Sequence, residues 1–365
     1  MDKKPFDTRL RKLRRALKRL RATGFLVSKP VNVSYLTGFT GHDSYLLVTA
    51  SNTVLLSDFR YVTQIEEECP GVDLEIRGSG TTLAELAANV LSRFSSNLPL
   101  CIEDTMALSE YGELEKALSR HSLRIESGVV EGLREIKDRH EITQIRESVR
   151  VAQRAFQVIR AKLKDGQSER LVAADVEHQI RQFGGEGCSF DPIVAVGDRA
   201  ALPHAVPSER RIGEGDFVLL DWGANLGHYA SDLTRVLVTG KISPKLERIY
   251  GVVLKAQLAA IRTIRPGKRM HEVDAAARTV IAKAGFGKQF GHGLGHGIGL
   301  EIHEAPRLAP HQDRLLKAGM VVTVEPGIYL PGWGGVRIED DVHVTRDGHE
   351  VLSDVPKELD QCLVR

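Results

Sequence analysis

The chain has 365 residues, a formal net charge of +2, 42% hydrophobic residues and 27% charged residues. This length predicts about two domains, the apolar fraction is sufficient for a buried core, and the balanced charge gives no indication of an acidic partner. Four separated cysteines without a CxxC motif favour a reduced, cytoplasmic protein, and we expect neither a transmembrane helix nor a secretion signal because no suitable apolar run is present.

Residues 6–22 form a predicted first helix that is strongly basic. A phenylalanine and four leucines recur at helical spacing between arginines and lysines. The pattern fits a helix that binds a membrane surface or nucleic acid, or one that packs its leucines on its own domain and exposes its basic face. We expect the second arrangement because the leucine stripe is narrow. We therefore expect no nucleic-acid or membrane partner, although the basic face leaves an anionic partner open.

Strand and helix patterns then alternate, which predicts a compact α/β domain over residues 1–130. The predicted strands are residues 24–28, 45–49, 53–57 and 99–103, and the predicted helices are residues 82–91 and 108–119. The strands at 45–49 and 53–57 form a predicted hairpin. Asp58 and Arg60 are interpreted as a structural ion pair or a contact at a strand end, and the domain contains no catalytic set.

A second domain, residues 131–365, follows a polar junction and contains two similar pairs of helices. The predicted helices are residues 142–163, 169–183, 246–264 and 271–283. A shift of 101 residues places Gly166 and Gly184 on Gly267 and Gly285. This repeat indicates an internal duplication, with chance similarity of two helix pairs as the alternative.

The strands of the second domain are predicted to be mostly antiparallel. They are residues 193–196, 217–221, 233–238, 321–325, 335–339 and 341–345. No GxxxxGK[ST] motif is present, and no GxGxxG motif lies between a strand and a helix, so the sequence gives little support for nucleotide binding.

Residues 291–304 form a stretch that is rich in glycine and histidine. It contains five glycines and the histidines His292, His296 and His303. Glycine allows close backbone approach, and histidine at this density indicates metal binding or proton transfer. The alternative is a plain loop whose histidines face water.

Four carboxylates flank this stretch. Asp221 ends a predicted strand and Asp232 lies on its hairpin partner, so both should face the same side, while Glu325 and Glu339 end two further apolar strands. An isolated buried charge is very costly, so these groups need a partner, which a cation would supply.

The alternative is that these acids pair with arginines such as Arg235 and Arg337. We favour metal because that pairing would have to account for every acid together with the glycine–histidine stretch. Four carboxylates and one histidine suit Mn, Fe, Co or Zn, and four carboxylates are enough for two ions.

Five motifs carry a family resemblance: LDWG (220–223), YASDLTR (229–235), residues 291–304, VEPG (324–327) and GVRIED (335–340). Through them, residues 131–352 resemble the metallopeptidases of the pita-bread fold. These include Xaa-Pro aminopeptidases, Xaa-Pro dipeptidases (prolidases) and methionine aminopeptidases, with creatinase as a metal-free relative.

The first domain is similar to the N-terminal domain of that family, more loosely, through VSYLTGF (33–39) and SDFRY (57–61). The resemblance implies an α+β fold, in which a pita-bread catalytic domain with pseudo-twofold duplicated halves follows a smaller creatinase-type α/β domain.

The resemblance also implies a dinuclear metal site. It makes Asp221 a ligand of one metal, Asp232 and Glu339 bridging ligands, and His296 and Glu325 ligands of the other metal. The expected cofactors are two divalent ions, manganese first, with cobalt, zinc or iron as alternatives. Because no ligand is substituted, the sequence disfavours a creatinase-like or inactive relative.

The same resemblance implies a hydrolytic mechanism in which a water activated by the two ions attacks the peptide carbonyl. His204 and His303 match histidines that hydrogen-bond the substrate carbonyl, and Glu325 is the candidate proton shuttle to the leaving amine. His292 is a candidate wall of the substrate pocket.

Arg307 matches an arginine with which dipeptidases of the family hold the substrate carboxylate, and an arginine can bind a carboxylate bidentately. The alternative for Arg307 is a surface ion pair. Arg337 is grouped with the substrate-binding residues, but its position two residues before Glu339 favours a role in steadying the ligands.

We therefore predict hydrolysis of Xaa-Pro bonds in dipeptides or at the N-terminus of short peptides. The alternatives are methionine or another aminopeptidase activity, and a noncatalytic binding protein on the same scaffold. Short proline-containing peptides are the expected partners, and the resemblance favours a homodimer.

Overall fold

The computed structural model describes residues 4–94, 98–119, 122–213, 215 and 217–364. It divides into two compact units, Met1–Arg134 and Glu135–Arg365. Residues 1–3, on which the expectation of no secretion signal partly depends, lie outside the described residues. None of the helices that the structure describes combines the length and apolarity needed to cross a membrane.

The first unit is an α/β domain built on a six-stranded mixed sheet with strand order β4-β3-β2-β1-β5-β6. Its strands are β1 (Gly24–Val27), β2 (Tyr45–Thr49), β3 (Thr53–Ser57), β4 (Asp73–Ile76), β5 (Leu100–Glu103) and β6 (Leu123–Glu126). Its helices are α1 (Lys4–Leu20), α2 (Pro30–Thr37), α3 (Val62–Glu68), α4 (Leu83–Leu91), α5 (Leu108–Ala117) and α6 (Glu131–Arg134).

Helix α1 packs its apolar side on its own unit, as predicted. Leu13 and Leu17 are buried, while Arg15, Lys18 and Arg19 are exposed. The predicted Asp58–Arg60 ion pair is also present: Asp58 caps a short 3₁₀ turn, and its Oδ2 lies 2.6 Å from the Arg60 guanidinium.

The second unit contains two helix pairs and a set of antiparallel sheets. Its helices are α7 (Arg139–Lys162), α8 (Glu169–Gln182), α9 (Pro244–Thr263) and α10 (Met270–Lys283). Its first strands are β7 (Gly187–Cys188), β8 (Ile193–Val196), β9 (Phe217–Trp222), β10 (Ala224–Leu226), β11 (Tyr229–Ala230) and β12 (Leu233–Val238). The later strands are β13 (Gly295–Gly297), β14 (Glu304–Leu308), β15 (Val321–Val324), β16 (Gly327–Leu330), β17 (Gly334–Arg337), β18 (Asp340–Val344) and β19 (His349–Val351).

The predicted repeat is visible in the backbone of the two helix pairs. Gly166 and Gly267 adopt φ values of 84° and 81°, and Gly184 and Gly285 adopt 93° and 90°. This left-handed conformation favours glycine, which lets each helix end and the chain turn. Helices α8 and α10 each have 14 residues, and their bounds differ by the 101-residue shift.

Residues of β8, β9 and β12 share one core with α7 and α8, and residues of β14, β15 and β18 share another with α9 and α10. Strands β12-β9-β8 form one sheet, and β14-β13-β15-β18-β19 form another. In the first half, Trp222 stacks on Phe156 of α7 with ring centroids 4.5 Å apart, and its indole N–H donates to the Ala152 carbonyl at 2.9 Å. Because Trp222 ends β9, this contact fixes the end of the strand that carries Asp221.

Candidate metal centre

The aspartates predicted as ligands lie at the same end of the β9–β12 pair. Strand β9 is buried along its length, and Asp221 opposes Thr234 in the antiparallel register. Asp232 immediately precedes β12, and its backbone N–H donates to Asp341 Oδ2 at 3.0 Å. Both aspartates are buried, at 7% and 5% exposure.

His296 is held by a β-strand that only glycine neighbours allow. A Cβ at Gly295 would collide with the Thr323 carbonyl, and one at Gly297 would collide with the Ala305 carbonyl. His296 Nδ1 lies 3.0 Å from the Gly297 carbonyl oxygen, which leaves Nε2 to face the site. A metal-binding histidine is commonly oriented in this way through its other ring nitrogen.

The glutamates approach from the other strands of the second half. Glu325 follows β15, and its Oε1 lies 3.5 Å from His296 Nε2. The prediction that Glu339 ends a strand is wrong, because β17 ends at Arg337 and Glu339 lies between β17 and β18. It forms an isolated antiparallel bridge with Thr234, whose hydroxyl donates to Glu339 Oε2 at 2.6 Å.

The donor set fits a metal ion. One ligand atom from each of Asp232, His296 and Glu339 lies within 4.8 Å of the other two. Within the described parts of the chain, several buried carboxylate oxygens here have no hydrogen-bond partner: Asp221 Oδ1, Asp232 Oδ1, Glu339 Oε1 and Asp341 Oδ1. Unpaired buried anionic oxygens are costly, and a divalent cation is the partner that this oxygen-rich set would take.

The electrostatics lead to the same conclusion. Burial, followed by repulsion from Glu339, raises the pKa of Asp232 well above its usual range. Burial raises the pKa of Glu325 to about 8, and burial together with His303 lowers the pKa of His296 to about 4. Without a cation, the site therefore favours neutral carboxyl groups, and a bound dication would reverse that preference.

The Arg337 side chain is buried and makes its hydrogen bonds to other residues of the protein. Its side chain is 4% exposed, and its guanidinium donates to Asp221 Oδ2 at 2.5 Å, to Thr234 Oγ1 at 3.1 Å and to the Tyr329 hydroxyl at 2.9 Å. These contacts support the steadying role and leave little of the guanidinium for substrate. The alternative that arginines pair with the acids therefore holds for Asp221.

Arg235 does not pair with any predicted ligand side chain. It donates instead to Asp340 Oδ1 at 2.7 Å. The arginine alternative thus leaves most of the predicted ligand carboxylates without a cationic partner.

The remaining histidines lie around the centre in different environments. His303 is exposed, and its ring centroid is 4.3 Å from that of His296. His204 is exposed in the loop that follows the 3₁₀ helix Gly197–Ala201. His292 is partly buried, with Nε2 3.0 Å from the Tyr329 hydroxyl, and burial lowers its pKa to about 4.

Arg307 is exposed on β14, directly opposite His296 in the β13–β14 register. Cross-strand partners project from the same face of a sheet, so both side chains leave the sheet on one side. Within the described ranges, the Arg307 side chain makes no hydrogen bond or ion pair, so the surface ion pair considered for it is not found there.

Sequence reasoning missed Asp341 and Tyr329. Asp341 is fully buried beside Asp232, and Tyr329 joins His292 to Arg337. The acidic run after Ile338 was a signal for Asp341. No local signal marked Tyr329, because its partners lie on other segments.

The chain belongs to metallopeptidase family M24, whose model matches residues 143–346. The creatinase/prolidase N-terminal domain matches residues 9–136. The predicted family, the α+β pita-bread fold with its creatinase-type first domain, and the assignment as a metallopeptidase are thereby confirmed.

Relatives of known name cover nearly the whole chain. The Xaa-Pro dipeptidase of Pyrococcus horikoshii is 36% identical over 335 residues, which cover 92% of this chain and 93% of the relative. The solved Xaa-Pro dipeptidase from Bacillus anthracis is 41% identical, with a TM-score of 0.93 and coverage of 97% and 99% of the two chains. The X-Pro aminopeptidase from Thermotoga maritima is 32% identical, with a TM-score of 0.87 and coverage of 94% and 99%. The similarity therefore includes both dipeptidases and aminopeptidases.

Proposed function

We propose that this protein hydrolyses Xaa-Pro bonds, with dipeptides as the preferred substrates. The observation that carries the proposal is the group of buried carboxylate oxygens without hydrogen-bond partners beside His296. The dipeptidase and aminopeptidase relatives support an Xaa-Pro substrate.

The proposed ligands of two divalent ions are Asp221, Asp232, His296, Glu325 and Glu339. When bound, the ions would polarise the scissile carbonyl and lower the pKa of the attacking water. The oxygen-rich set makes manganese the first candidate, with cobalt, zinc or iron as alternatives. Metal analysis of protein purified without chelator tests the identity and the stoichiometry.

The histidines beside the centre would serve the substrate. His204 and His303 are exposed and can donate hydrogen bonds to the carbonyl oxygen as its negative charge develops. Burial keeps His292 neutral, which suits a wall for the proline ring. Glu325, whose Oε1 lies 3.5 Å from His296 Nε2 at the edge of the centre, would carry the proton to the leaving amine.

Arg307 supports dipeptides over longer peptides. Its guanidinium lies on the same side of the sheet as His296 and has no partner in the described ranges, so it can bind the free carboxylate of a dipeptide. A charge-assisted hydrogen bond is worth about 1.5–3 kcal/mol, or roughly ten- to hundredfold in affinity.

The first experiment is hydrolysis by metal-stripped protein reconstituted with Mn²⁺, Co²⁺ or Zn²⁺. The substrates are an Xaa-Pro dipeptide, an Xaa-Pro-Xaa tripeptide and a Met-Ala-Ser tripeptide, each repeated with Glu325→Ala. Dipeptide cleavage that Glu325→Ala abolishes supports the proposal. Release of methionine alone, or two bound ions without any cleavage, would replace it with methionine aminopeptidase activity or a binding function.

The role of Arg307 is tested with a dipeptide and its C-terminal amide. Arg307→Ala should raise KM for the free acid about ten- to hundredfold and leave the amide nearly unchanged. Arg346→Ala, at another exposed arginine, is the matched control. Equal effects of Arg307→Ala on both substrates would remove the argument for dipeptides.

The localisation and the assembly of the protein are also proposals. All four cysteines are free, which favours the cytoplasm. The family resemblance favours a homodimer, which light scattering on the purified protein tests directly. We propose no nucleic-acid or membrane partner.

A further inference from the structure

A buried polar cluster lies behind Glu339 and centres on Asp340. Asp340 is fully buried, and its carboxylate accepts hydrogen bonds from Arg235 at 2.7 Å, Gln257 at 2.6 Å, Lys357 at 2.5 Å and the Ser353 hydroxyl. Every acceptor direction of this carboxylate is therefore occupied, unlike those of the neighbouring metal-site acids.

Arg235 connects this cluster to the metal centre. Its side chain is 1% exposed, and a guanidinium has five N–H donors in a fixed plane. The five acceptors are the Thr234, Glu339, Val355 and Pro356 carbonyl oxygens and Asp340 Oδ1.

The two halves of the second unit meet at this guanidinium. Thr234 lies on the strand pair that carries Asp221 and Asp232, whereas Glu339 belongs to the second half. Arg235 holds the backbone carbonyls of Thr234 and Glu339 at 2.9 and 2.6 Å, and the Thr234 hydroxyl directs one oxygen of Glu339. The relative position of acids from both halves thus depends on how Arg235 is held.

We propose that Lys357 and the C-terminal segment 353–357 position Glu339 for metal binding through Asp340 and Arg235. The inference rests on the proposed dinuclear site. Lys357 is a positioning residue. Its ammonium contacts Asp340 and Gln257, and its backbone carbonyl accepts a hydrogen bond from the Tyr250 hydroxyl at 2.7 Å.

Loss of the Lys357 charge should disturb the centre by a defined route. Among the described residues, Arg235 would be the only cationic partner left to Asp340, and the guanidinium would move towards the oxygen that Lys357 had neutralised. Because its donors are fixed in one plane, that shift weakens the bonds to Thr234 and Glu339. Partners outside the ligand shell typically affect metal affinity by about 10- to 100-fold.

The test compares Lys357→Met with Lys268→Met in the full-length, metal-free protein. Lys268 also has a carboxylate partner, Glu272, but it lies in the turn before α10, outside this cluster. Mn²⁺ binding is measured by titration calorimetry, the fold by circular dichroism, and thermal unfolding without metal by calorimetry. The charge is restored in Lys357→Arg.

We expect Lys357→Met to weaken Mn²⁺ binding about tenfold with an unchanged spectrum, Lys268→Met to bind as wild type, and Lys357→Arg to recover part of the affinity. Unchanged Mn²⁺ affinity in Lys357→Met, with or without a lower unfolding temperature, would overturn the inference and reduce Lys357 to a structural residue. Failure of the wild-type protein to bind Mn²⁺, Co²⁺ or Zn²⁺ would instead overturn the proposed function on which the inference rests.

Discussion

Glu103 of the first unit and most acids of the metal centre in the second unit are buried, but they differ in their hydrogen-bond partners. In the first unit, Glu103 accepts hydrogen bonds from the Ser28 and Lys29 backbone N–H groups, both at 2.7 Å, and from the Asn32 amide at 2.6 Å. In the second unit, Asp232 and its neighbours keep buried oxygens that no described donor reaches.

The difference separates a structural acid from a functional one. A buried carboxylate surrounded by donors helps to hold its unit together, because each donor would otherwise lose its partner. A buried carboxylate without donors costs stability until a cation arrives. Hydrogen-bond partners, rather than burial alone, therefore distinguish Glu103 from the acids of the metal centre.

The largest expected effect comes from Asp232→Asn. Since this acid is proposed to bridge two ions, the change should reduce both metal affinity and Xaa-Pro hydrolysis by more than about 100-fold, beyond what a residue outside the ligand shell costs. The metal-free protein should be no less stable than wild type, because the amide replaces a carboxyl group whose ionisation is opposed by burial and by Glu339. A large loss of metal-free stability would show that Asp232 is a structural acid like Glu103.

Metal addition should stabilise the second unit alone. At a free Mn²⁺ concentration of about 100 times Kd, binding adds about 2.7 kcal/mol to the free energy of unfolding. Hydrogen exchange should locate the added protection in residues 135–365, and Asp232→Asn should abolish it. Equal protection of both units would contradict the contrast drawn between them.

Glu103→Gln makes the matching isosteric change in the first unit. The NH₂ group that replaces one carboxylate oxygen would face N–H donors. The Asn32 amide cannot rotate to present its oxygen, because that oxygen already accepts a hydrogen bond from Arg134 at 2.9 Å. We expect a loss of about 2 kcal/mol in the free energy of unfolding. Urea unfolding measures the loss, and Mn²⁺ affinity serves as the control that should stay at the wild-type value.

The smallest expected effect is a pH dependence of the metal-free second unit. Asp232, Glu325 and Glu339 all have a pKa above the unfolded value, chiefly through burial, and that of Glu325 is about 8. Their contribution to stability is therefore fully present below about pH 4 and is lost as pH rises towards 8.

The share of Glu325 in this change should be on the order of 1 kcal/mol, because its side chain is partly exposed and solvent screens its charge. Urea unfolding at pH 4, 6 and 8 measures it, with saturating Mn²⁺ as the comparison. A fall in stability that persists with bound metal would point to other groups.

Much of the fold could be predicted from local patterns. The hairpin Tyr45–Thr49 and Thr53–Ser57 and the helix Glu169–Gln182 agree with the predicted spans to within a residue, because apolar periodicity and glycine stops specify them locally. Short α2 (Pro30–Thr37) was not predicted, since eight mostly buried residues show no helical alternation.

The candidate site was only partly predictable. Carboxylates at strand ends and the glycine-flanked His296 could be found from the sequence, and the family resemblance suggested their roles. The Arg337–Asp221 bond joins residues 116 positions apart, so no local pattern could place it. Glu339 lies between two strands and not at a strand end. Its position depends on a bridge to Thr234 from the other half, which a local pattern could not show either.

The matched glycines of the two helix pairs allow one backbone effect to be measured in duplicate within a single chain. At Gly166, Gly184, Gly267 and Gly285, a Cβ would meet nothing within 4 Å, yet the backbone is left-handed at all four. Alanine there would thus report the cost of backbone conformation without a steric contribution, about 1–2 kcal/mol for each residue. D-Alanine, which prefers this conformation, should restrict the unfolded chain without that cost. Each of the two glycine positions occurs once in each half of the second unit. The cost of the left-handed backbone can therefore be measured twice for each position, in two different tertiary settings.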